Sequence, residues 1–170
     1  MTSPSPDFTR ALMGAAPSLR AFAISLSGNV DRADDLVQDT LMRAWASFAS
    51  FQEGTNLNAW LFTILRNLFN SEYRKLKREV EDADGEYAAT LAAPAGQESH
   101  VALDEMRSAL AKLPDDQREA VLLVGASGFS YEEAAEICDC AVGTIKSRVN
   151  RARARLADLL FEAGAVDATS

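Results

Sequence analysis

Residues 130–156 read SYEEAAEICDCAVGTIKSRVNRARARL, and this stretch decides the fold of the second half of the chain. Ser130 and Glu133 have the spacing of a capping box, which predicts the start of a short helix of about two turns. A turn over residues 138–141 and a longer helix over about 142–162 follow. This succession is the arrangement of a helix-turn-helix, whose second helix enters the major groove of DNA.

The longer helix has two different sides on a wheel drawn at about 100° per residue. The side expected to face the scaffold helix is apolar and holds Val142, Ile145, Val149, Ala152 and Leu156. The opposite side is small and polar, with cations at its middle and flank: Gly143, Ser147, Asn150, Arg151, Ala154 and Lys146. Arg151 can donate paired hydrogen bonds to guanine, while Ser147 and Asn150 can reach base edges or phosphates. Contacts with the DNA backbone are expected from the cations to the sides, Arg148, Arg153 and Arg155.

Charge is distributed unevenly along the 170 residues. The formal net charge of −8 by itself argues against a nucleic-acid-binding protein. Residues 66–78 nevertheless carry five cations against Glu72 alone, and residues 141–156 carry five cations and no acid. The absence of any acid from residues 141–156 favours DNA contact over a merely solvated basic face in that segment. The alternation of basic and acidic blocks indicates separate surfaces for separate partners.

The rest of the chain is also predicted to be helical, because apolar residues recur at helical spacing and no alternating strand pattern is found. Gly28 and Asn29 are expected to end the first helix, and Asp31 is expected to cap the second. The predicted helices are 7–27, 31–48, 56 or 58 to 77, 101–111 and 115–124. The fold class is therefore all-α.

Helical wheels assign a buried face to each of the first three helices. In the first helix it holds Leu12, Leu19, Phe22, Ala23 and Leu26. In the second it holds Leu36, Val37, Leu41, Ala44, Trp45 and Phe48. In the third it holds Leu57, Trp60, Leu61, Ile64, Leu65 and Leu68, and Phe62 is also expected in the core.

Residues 80–98 differ in composition from both flanks, being acidic at first, then rich in alanine and punctuated by proline and glycine. Such a segment is typical of a flexible linker. It divides the chain into a first domain over 1–79 and a second over 99–163, which ends in the helix-turn-helix and is followed by a tail over 164–170. Each half is large enough for a small helical bundle.

The third helix carries a polar stripe beside its apolar face, made of Thr63, Arg66, Asn67, Asn70 and Arg74. Asparagine is a poor helix former, so two of them on one stripe suggest contacts with base edges, while the cations hold phosphates. The loop 51–56 contains Gly54 and short polar side chains, and it could accept a base flipped out of the stack. A solvated helix face is an equal alternative from the pattern alone.

The second helix exposes Asp34, Asp35, Gln38, Asp39 and Arg43 on one side. A solvated acidic face is the usual explanation for such a set, and a docking surface for a basic partner is the sharper one.

Several functional classes are disfavoured by what the sequence contains. A phosphate-binding glycine loop, a catalytic triad and a paired-histidine metal site are not found, so an enzyme, a cofactor and a metal are not expected. Cys138 and Cys140 are interpreted as small buried or half-buried side chains in a turn. No apolar run approaches the ~20 residues that span a bilayer, and no secretory signal is visible, so a cytoplasmic protein without membrane contact is expected.

Five motifs, taken in order, resemble the extracytoplasmic-function (ECF) sigma factors of bacterial RNA polymerase over nearly the whole chain. They are residues 33–40 (ADDLVQDT), 59–67 (AWLFTILRN), Leu113-Pro114 ahead of Gln117-Arg118-Glu119, 130–135 (SYEEAA) and 142–148 (VGTIKSR). Finer matches resemble the EcfG-type general stress response subgroup of alphaproteobacteria; they are residues 54–56 with 59–67, Arg74-Lys75, and 125–130.

The resemblance implies a role for each half. The first half is similar to sigma domain 2, whose second helix docks on the polymerase core, on the β′ coiled coil, through the positions of Asp34, Asp35, Gln38, Asp39 and Arg43. The promoter −10 element would be read and melted by Asn56, Asn58, Thr63, Arg66, Asn67, Asn70 and Arg74, with Asn67 at a base-reading position. The second half is similar to sigma domain 4, which would read the −35 element with Lys146, Ser147, Arg148, Asn150, Arg151 and Arg155. At Asn150 the family often has a larger apolar residue.

The resemblance also implies partners. They are the β′ and β subunits of core RNA polymerase, promoter DNA, and an anti-sigma factor of the NepR type that a phosphorylated PhyR-type regulator displaces. Two other functional hypotheses remain open from the residues. One is a stand-alone regulator whose first half senses a ligand or dimerises, and the other is a sigma mimic that sequesters another factor without reading DNA.

Overall fold

The computed structural model describes residues 2–82 and 101–167, which belong to two compact units. The first unit contains α1 (Pro6–Ser27), α2 (Val30–Ala46), a 3₁₀ turn (Phe48–Ser50) and α3 (Leu57–Asp82). The second contains α4 (Val101–Ala111), α5 (Asp115–Val121) with a π-helical turn (Leu122–Ala126), α6 (Tyr131–Cys138) and α7 (Val142–Asp167). No strand occurs in the described ranges, which confirms the all-α prediction.

The ends of α1 and the start of α2 follow from local capping chemistry. Ser5 caps α1, where its Oγ accepts from the N–H of Phe8 at 3.1 Å. Gly28 ends α1 as predicted, because it adopts a left-handed φ of 66° and donates its N–H to Ile24 O. The predicted cap of α2 was wrong. Asn29 is the cap, with Oδ1 accepting from the N–H of Arg32 at 2.9 Å, and Asp31 lies in the first turn.

The core of the first unit is formed by apolar faces of three helices. The predicted face of α1 is buried throughout, and Phe22 packs on Phe62 of α3 with ring centroids 4.9 Å apart. Thr40 is fully buried, and its hydroxyl donates to Leu36 O at 2.7 Å, which satisfies its polar atom. Burying a side chain such as Phe62 stabilises the fold by roughly 1.5–3 kcal/mol.

Two predictions for α2 are corrected by the structure. Trp45 was placed on the buried face but is 46% exposed, whereas Ala44 beside it is fully buried. The helix ends at Ala46 rather than at Phe48, since the chain tightens there into the 3₁₀ turn. Phe48 is half-buried within that turn.

The third helix is longer than predicted. It continues to Asp82, past the expected end at Lys77 and into the segment 80–98 that was expected to be linker. Residues 78–82 contain Arg78, Glu79, Val80 and Glu81, which are compatible with continued helix, and Val80 is half-buried. The remainder of the linker prediction, 83–98, lies outside the described residues.

In the second unit, α4 has the predicted bounds and the capping box of α6 is present. The N–H of Glu133 donates to Ser130 Oγ at 3.1 Å, and the N–H of Ser130 donates to Glu133 Oε1 at 3.0 Å. Helix α5 is α-helical only to Val121, and the π turn after it replaces the predicted α-helix to residue 124. Helix α7 reaches Asp167, which corrects both the predicted end near Glu162 and the start of the tail at 164.

Candidate nucleic-acid interface

The helix-turn-helix is formed by α6, the turn 139–141 and α7. Asp139 ends α6 in a left-handed conformation with φ 51°, which aspartate tolerates better than most residues. The N–H of Cys140 donates to Ala135 O at 3.0 Å and holds the turn against α6. Cys138 is buried and Cys140 half-buried, as predicted.

The two sides of α7 lie as the helical wheel predicted. Ile145, Val149 and Ala152 are fully buried, and Leu156 lies in a small core with Ala109 and Leu113. The opposite side is exposed at every predicted position: Gly143, Lys146, Ser147, Asn150, Arg151 and Ala154. Small residues beside long cations leave room for base edges, so this side has the form of a major-groove surface.

Arg148 does not lie with the other cations of α7. Its Nε is 3.5 Å from Oδ2 of Asp116 on α5, and its Nη1 is 4.0 Å from the sulfur of Cys140. The side chain is half-buried, whereas Arg153 and Arg155 are exposed. Arg148 therefore links α7 to α5 and to the turn, and its guanidinium is already engaged within the protein.

Tyr131 is a neighbour of this surface that the helical wheel did not reveal. The ammonium of Lys146 lies over its ring, 5.9 Å from the centroid. A cation in this position is attracted by the ring face, which restricts where Lys146 can point. The position of Tyr131 directly after the N-cap Ser130 is the sequence feature that could have indicated this contact.

The polar stripe of α3 is present on one side of the helix. Asn67, Arg74 and Asn58 are exposed, while Thr63, Arg66 and Asn70 are half-buried. The stripe from Thr63 to Arg74 is about 16 Å long at the rise of an α-helix. One group of the stripe already serves the helix, since the Thr63 hydroxyl donates to Ala59 O at 2.8 Å. Asn56, which precedes the helix, also serves it, because its Oδ1 accepts from the N–H of Ala59 at 3.3 Å.

The loop 51–56 precedes the stripe and exposes all of its residues except Phe51. Gly54 has a φ of 87°, a conformation that L side chains rarely adopt. Thr55 folds back on Gln52, whose carbonyl accepts from the Thr55 hydroxyl at 2.6 Å and from its N–H at 3.2 Å. The ring of Phe51 lies 5.3 Å from that of Trp60, which ties the loop to the first turn of α3.

The outer face of α2 combines charge with apolar side chains. Asp35, Gln38, Asp39 and Arg43 are exposed, and Asp34 is ion-paired with Arg20 of α1 at 2.7 Å. Met42, which is 70% exposed, lies among these residues, and Trp45 borders them. The sequence analysis did not predict either residue on this face. Met42 lies one turn after Gln38 and Asp39, which could have indicated its place there, and Trp45 was assigned to the core. Exposed apolar groups within a polar face are typical of a protein-binding surface.

Within the described residues, no group of three histidine, cysteine or acidic side chains is placed to hold a metal ion. In the same ranges, no helix combines the length and the apolar character that crossing a bilayer requires.

Each of the two units matches a known protein family. Residues 13–79 match the family Sigma-70 region 2, and residues 103–156 match the family Sigma-70, region 4. The chain is 70% identical, over 156 residues, to the ECF RNA polymerase sigma factor EcfG of Rhodopseudomonas palustris (strain TIE-1), with 92% of this chain and 86% of that protein covered. The chain belongs to the ECF RNA polymerase sigma factors. As a sigma factor it binds RNA polymerase and promoter DNA and directs transcription initiation, and it is a transcription regulator rather than an enzyme.

Two solved structures are similar to this chain over most of its length. One is the sigma factor RpoE in complex with the anti-sigma factor NepR from Bartonella quintana, with 58% identity, a TM-score of 0.85, and 92% of this chain and 98% of that chain covered. Another is CnrH in complex with the cytosolic domain of CnrY, with 28% identity, a TM-score of 0.69, and 91% and 88% covered. The Sigma-70 region 2 match begins at residue 13, so the first turns of α1 lie outside it.

Proposed function

We propose that this ECF sigma factor serves general stress response genes and reads a two-part promoter, with α3 at the −10 element and α7 at the −35 element. Sigma domain 2 then covers the chain to the end of α3 at Asp82, sigma domain 4 covers the chain from residue 99 to the end of α7 at Asp167, and a linker joins them. The similarity to EcfG supports the stress response role. Since RNA polymerase works in the cytoplasm of bacteria, we place the protein there.

The observation that carries the promoter proposal is the exposed side of α7, opposite a fully buried row. Arg151 lies at its middle as a base-reading candidate, with Ser147 and Asn150 beside it. Lys146 is restrained by Tyr131, and the exposed Arg153 and Arg155 can hold phosphates. Arg148 is assigned here to the support of α7 rather than to DNA, because it is engaged by Asp116.

At the −10 element we assign base reading to Asn67 and Asn70 and phosphate contact to Arg74, with Thr63 and Arg66 completing the stripe. Asn67 and Arg74 are exposed. They lie on the side of α3 opposite the fully buried Leu61 and Leu65. Asn58 is exposed near the loop and can join this contact. Asn56 contributes by capping α3, since its side-chain oxygen accepts from the N–H of Ala59.

Polymerase docking is assigned to the outer face of α2. Asp35, Gln38, Asp39 and Arg43 supply polar contacts there, and Met42 supplies an apolar centre. A charge-bearing rim around an apolar centre is the usual anatomy of a protein–protein interface. Asp34 supports this face through its ion pair with Arg20.

An anti-sigma partner of the NepR type is part of the proposal. Its support is the 58% identity to a sigma factor whose solved structure is a complex with NepR. A PhyR-type regulator would release the sigma factor by competing for that partner. Addition of a purified NepR-type protein should then abolish transcription by the reconstituted holoenzyme, and addition of the PhyR-type regulator in its active form should restore it.

The decisive experiment is run-off transcription with purified core polymerase and a stress-promoter template. The wild-type chain should yield a promoter-specific transcript, and Arg151→Ala and Asn67→Ala should each weaken it. Arg107→Ala and Arg10→Ala are matched controls, because both arginines are exposed and lie on neither proposed DNA surface. Absence of any promoter-specific transcript from the wild type contradicts the proposal. Promoter-specific transcription that is insensitive to both variants contradicts the assignment of promoter reading to Arg151 and Asn67.

A further inference from the structure

Four aromatic side chains meet at one end of the first unit: Phe8, Phe48, Phe51 and Trp60. The ring of Phe8 lies 6.3 Å from Phe48, 5.9 Å from Phe51 and 6.5 Å from Trp60, measured between centroids. The rings are tilted by 45–56° to one another, within the range of favourable aromatic pairs. We call this group the aromatic cluster.

The aromatic cluster joins three separate segments. Phe8 comes from the first turn of α1, Phe48 begins the 3₁₀ turn and Phe51 follows it, and Trp60 comes from the first turn of α3. Phe8 contacts all the other members, and its backbone N–H is held by Ser5 Oγ at the helix cap. Phe8 is therefore placed by α1, while its partners belong to the 3₁₀ turn, the loop 51–56 and the start of α3.

The loop 51–56 depends on its ends for its position. Residues 52–56 are exposed, and the bonds between Thr55 and Gln52 close the loop on itself. Phe51 at one end packs against Trp60 with tilted rings, and Asn56 at the other end caps the helix that carries Trp60. The half-buried ring of Phe8 lies against both Phe51 and Trp60, so it completes the aromatic contacts that hold the loop in position.

We infer that Phe8 is a positioning residue for recognition of the unpaired −10 bases, acting through Phe51 and Trp60 on the loop 51–56 and the start of the α3 stripe. The inference rests on the proposed −10 function of α3. A flipped base is captured best by a loop that is already ordered, because ordering it on binding would cost affinity. The residue lies before the Sigma-70 region 2 match, which begins at residue 13.

The test uses full-length holoenzyme assembled with core polymerase. Fluorescence anisotropy compares its affinity for a single-stranded oligonucleotide carrying the −10 sequence with that for oligonucleotides substituted at single bases. The variants are Phe8→Ala, Phe8→Leu and Phe8→Tyr, with Met13→Ala as the matched control, because Met13 lies on the same helix and is 64% exposed. Discrimination at the −35 element is measured in parallel on duplex DNA.

Phe8→Ala is expected to lower discrimination between −10 bases about five- to tenfold, the scale of lost aromatic contacts. Discrimination at the −35 element and assembly with core polymerase should stay unchanged. Phe8→Tyr should restore most of the loss, and Met13→Ala should behave as wild type. If Phe8→Ala lowers the melting temperature sharply, Phe8→Leu decides instead, because it keeps apolar volume without the ring.

Different outcomes would contradict the positioning role of Phe8 and the −10 role of α3. If Asn67→Ala reduces −10 discrimination and neither Phe8→Ala nor Phe8→Leu does, the inference about Phe8 is overturned and the promoter proposal stands. If Asn67→Ala and all Phe8 variants leave −10 discrimination unchanged, the −10 assignment of α3 is itself wrong. An equal loss at the −10 and −35 elements would indicate a general folding defect and would also overturn the positioning role.

Discussion

Arg148 on α7 and Asp116 on α5 are held together with 3.5 Å between Nε and Oδ2. The Arg148 side chain is 26% exposed and the Asp116 side chain 54%, so water screens much of their attraction. The pair still orients the guanidinium toward α5 and the turn of the helix-turn-helix. This pair distinguishes Arg148, which is engaged within the protein, from the exposed cations of the same helix, a distinction that the wheel did not make.

Arg148→Ala should lower the stability of the second unit by up to about 1 kcal/mol, the upper range for a partly exposed pair. Thermal unfolding of the variant measures this effect. The salt dependence of promoter binding by the holoenzyme should keep its slope, because no phosphate contact is lost. A slope reduced by about one with unchanged stability would instead place Arg148 on the DNA backbone.

Arg151→Ala should cost roughly 1–3 kcal/mol of promoter binding and relax specificity at the −35 element, because a paired donor to a base is removed. Competition binding of the holoenzyme against promoters with single −35 substitutions measures both quantities. Arg107→Ala on α4 is the control for loss of one positive charge. Equal effects of the two variants would mean that Arg151 acts through charge alone.

Met42→Glu should weaken assembly with core polymerase at least tenfold, since a charge would enter the apolar centre of the docking face that we propose on α2. Titration of labelled core enzyme gives the affinity. Met13→Glu is the matched control, because this methionine has a similar exposure of 64% but lies on α1. An unaffected Met42→Glu variant would exclude this part of α2 from the interface.

The free sigma factor should bind promoter DNA weakly, and specific binding should require core polymerase. The net charge of −8 repels DNA at long range, although α3 and α7 carry basic surfaces. Gel-shift titrations at two salt concentrations, with and without core enzyme, test this expectation. Tight, salt-resistant binding of a promoter by the free chain would contradict it.

Ser130→Ala should destabilise the second unit by about 0.5–2 kcal/mol, the usual cost of losing an N-cap. It removes the hydroxyl that accepts from the N–H of Glu133 at 3.1 Å. Chemical denaturation followed by circular dichroism gives the difference. Ser108→Ala is the control, because Ser108 is an exposed residue within α4. The control should be neutral within a few tenths of a kcal/mol.

Much of the architecture was predictable because it depends on residues that are close together in the sequence. Helical spacing of apolar residues predicted the buried row Ile145, Val149 and Ala152, and the Ser130–Glu133 spacing predicted the capping box. Both features need only residues within a few turns of one another. Helix ends were less predictable, since Asn29 and Asp31 both have capping side chains and the backbone conformation after Gly28 selected Asn29.

The sequence by itself determined which residues of α3 and α7 share a side, because a helical period assigns sides without reference to neighbours. Tertiary structure decided what each side meets. It left Trp45 and Met42 exposed on α2, turned Arg148 onto Asp116, and brought Phe8 against Phe51 and Trp60 across more than forty residues of chain. Burial and pairing at these positions depend on which distant element lies alongside, and a local pattern carries no information about that.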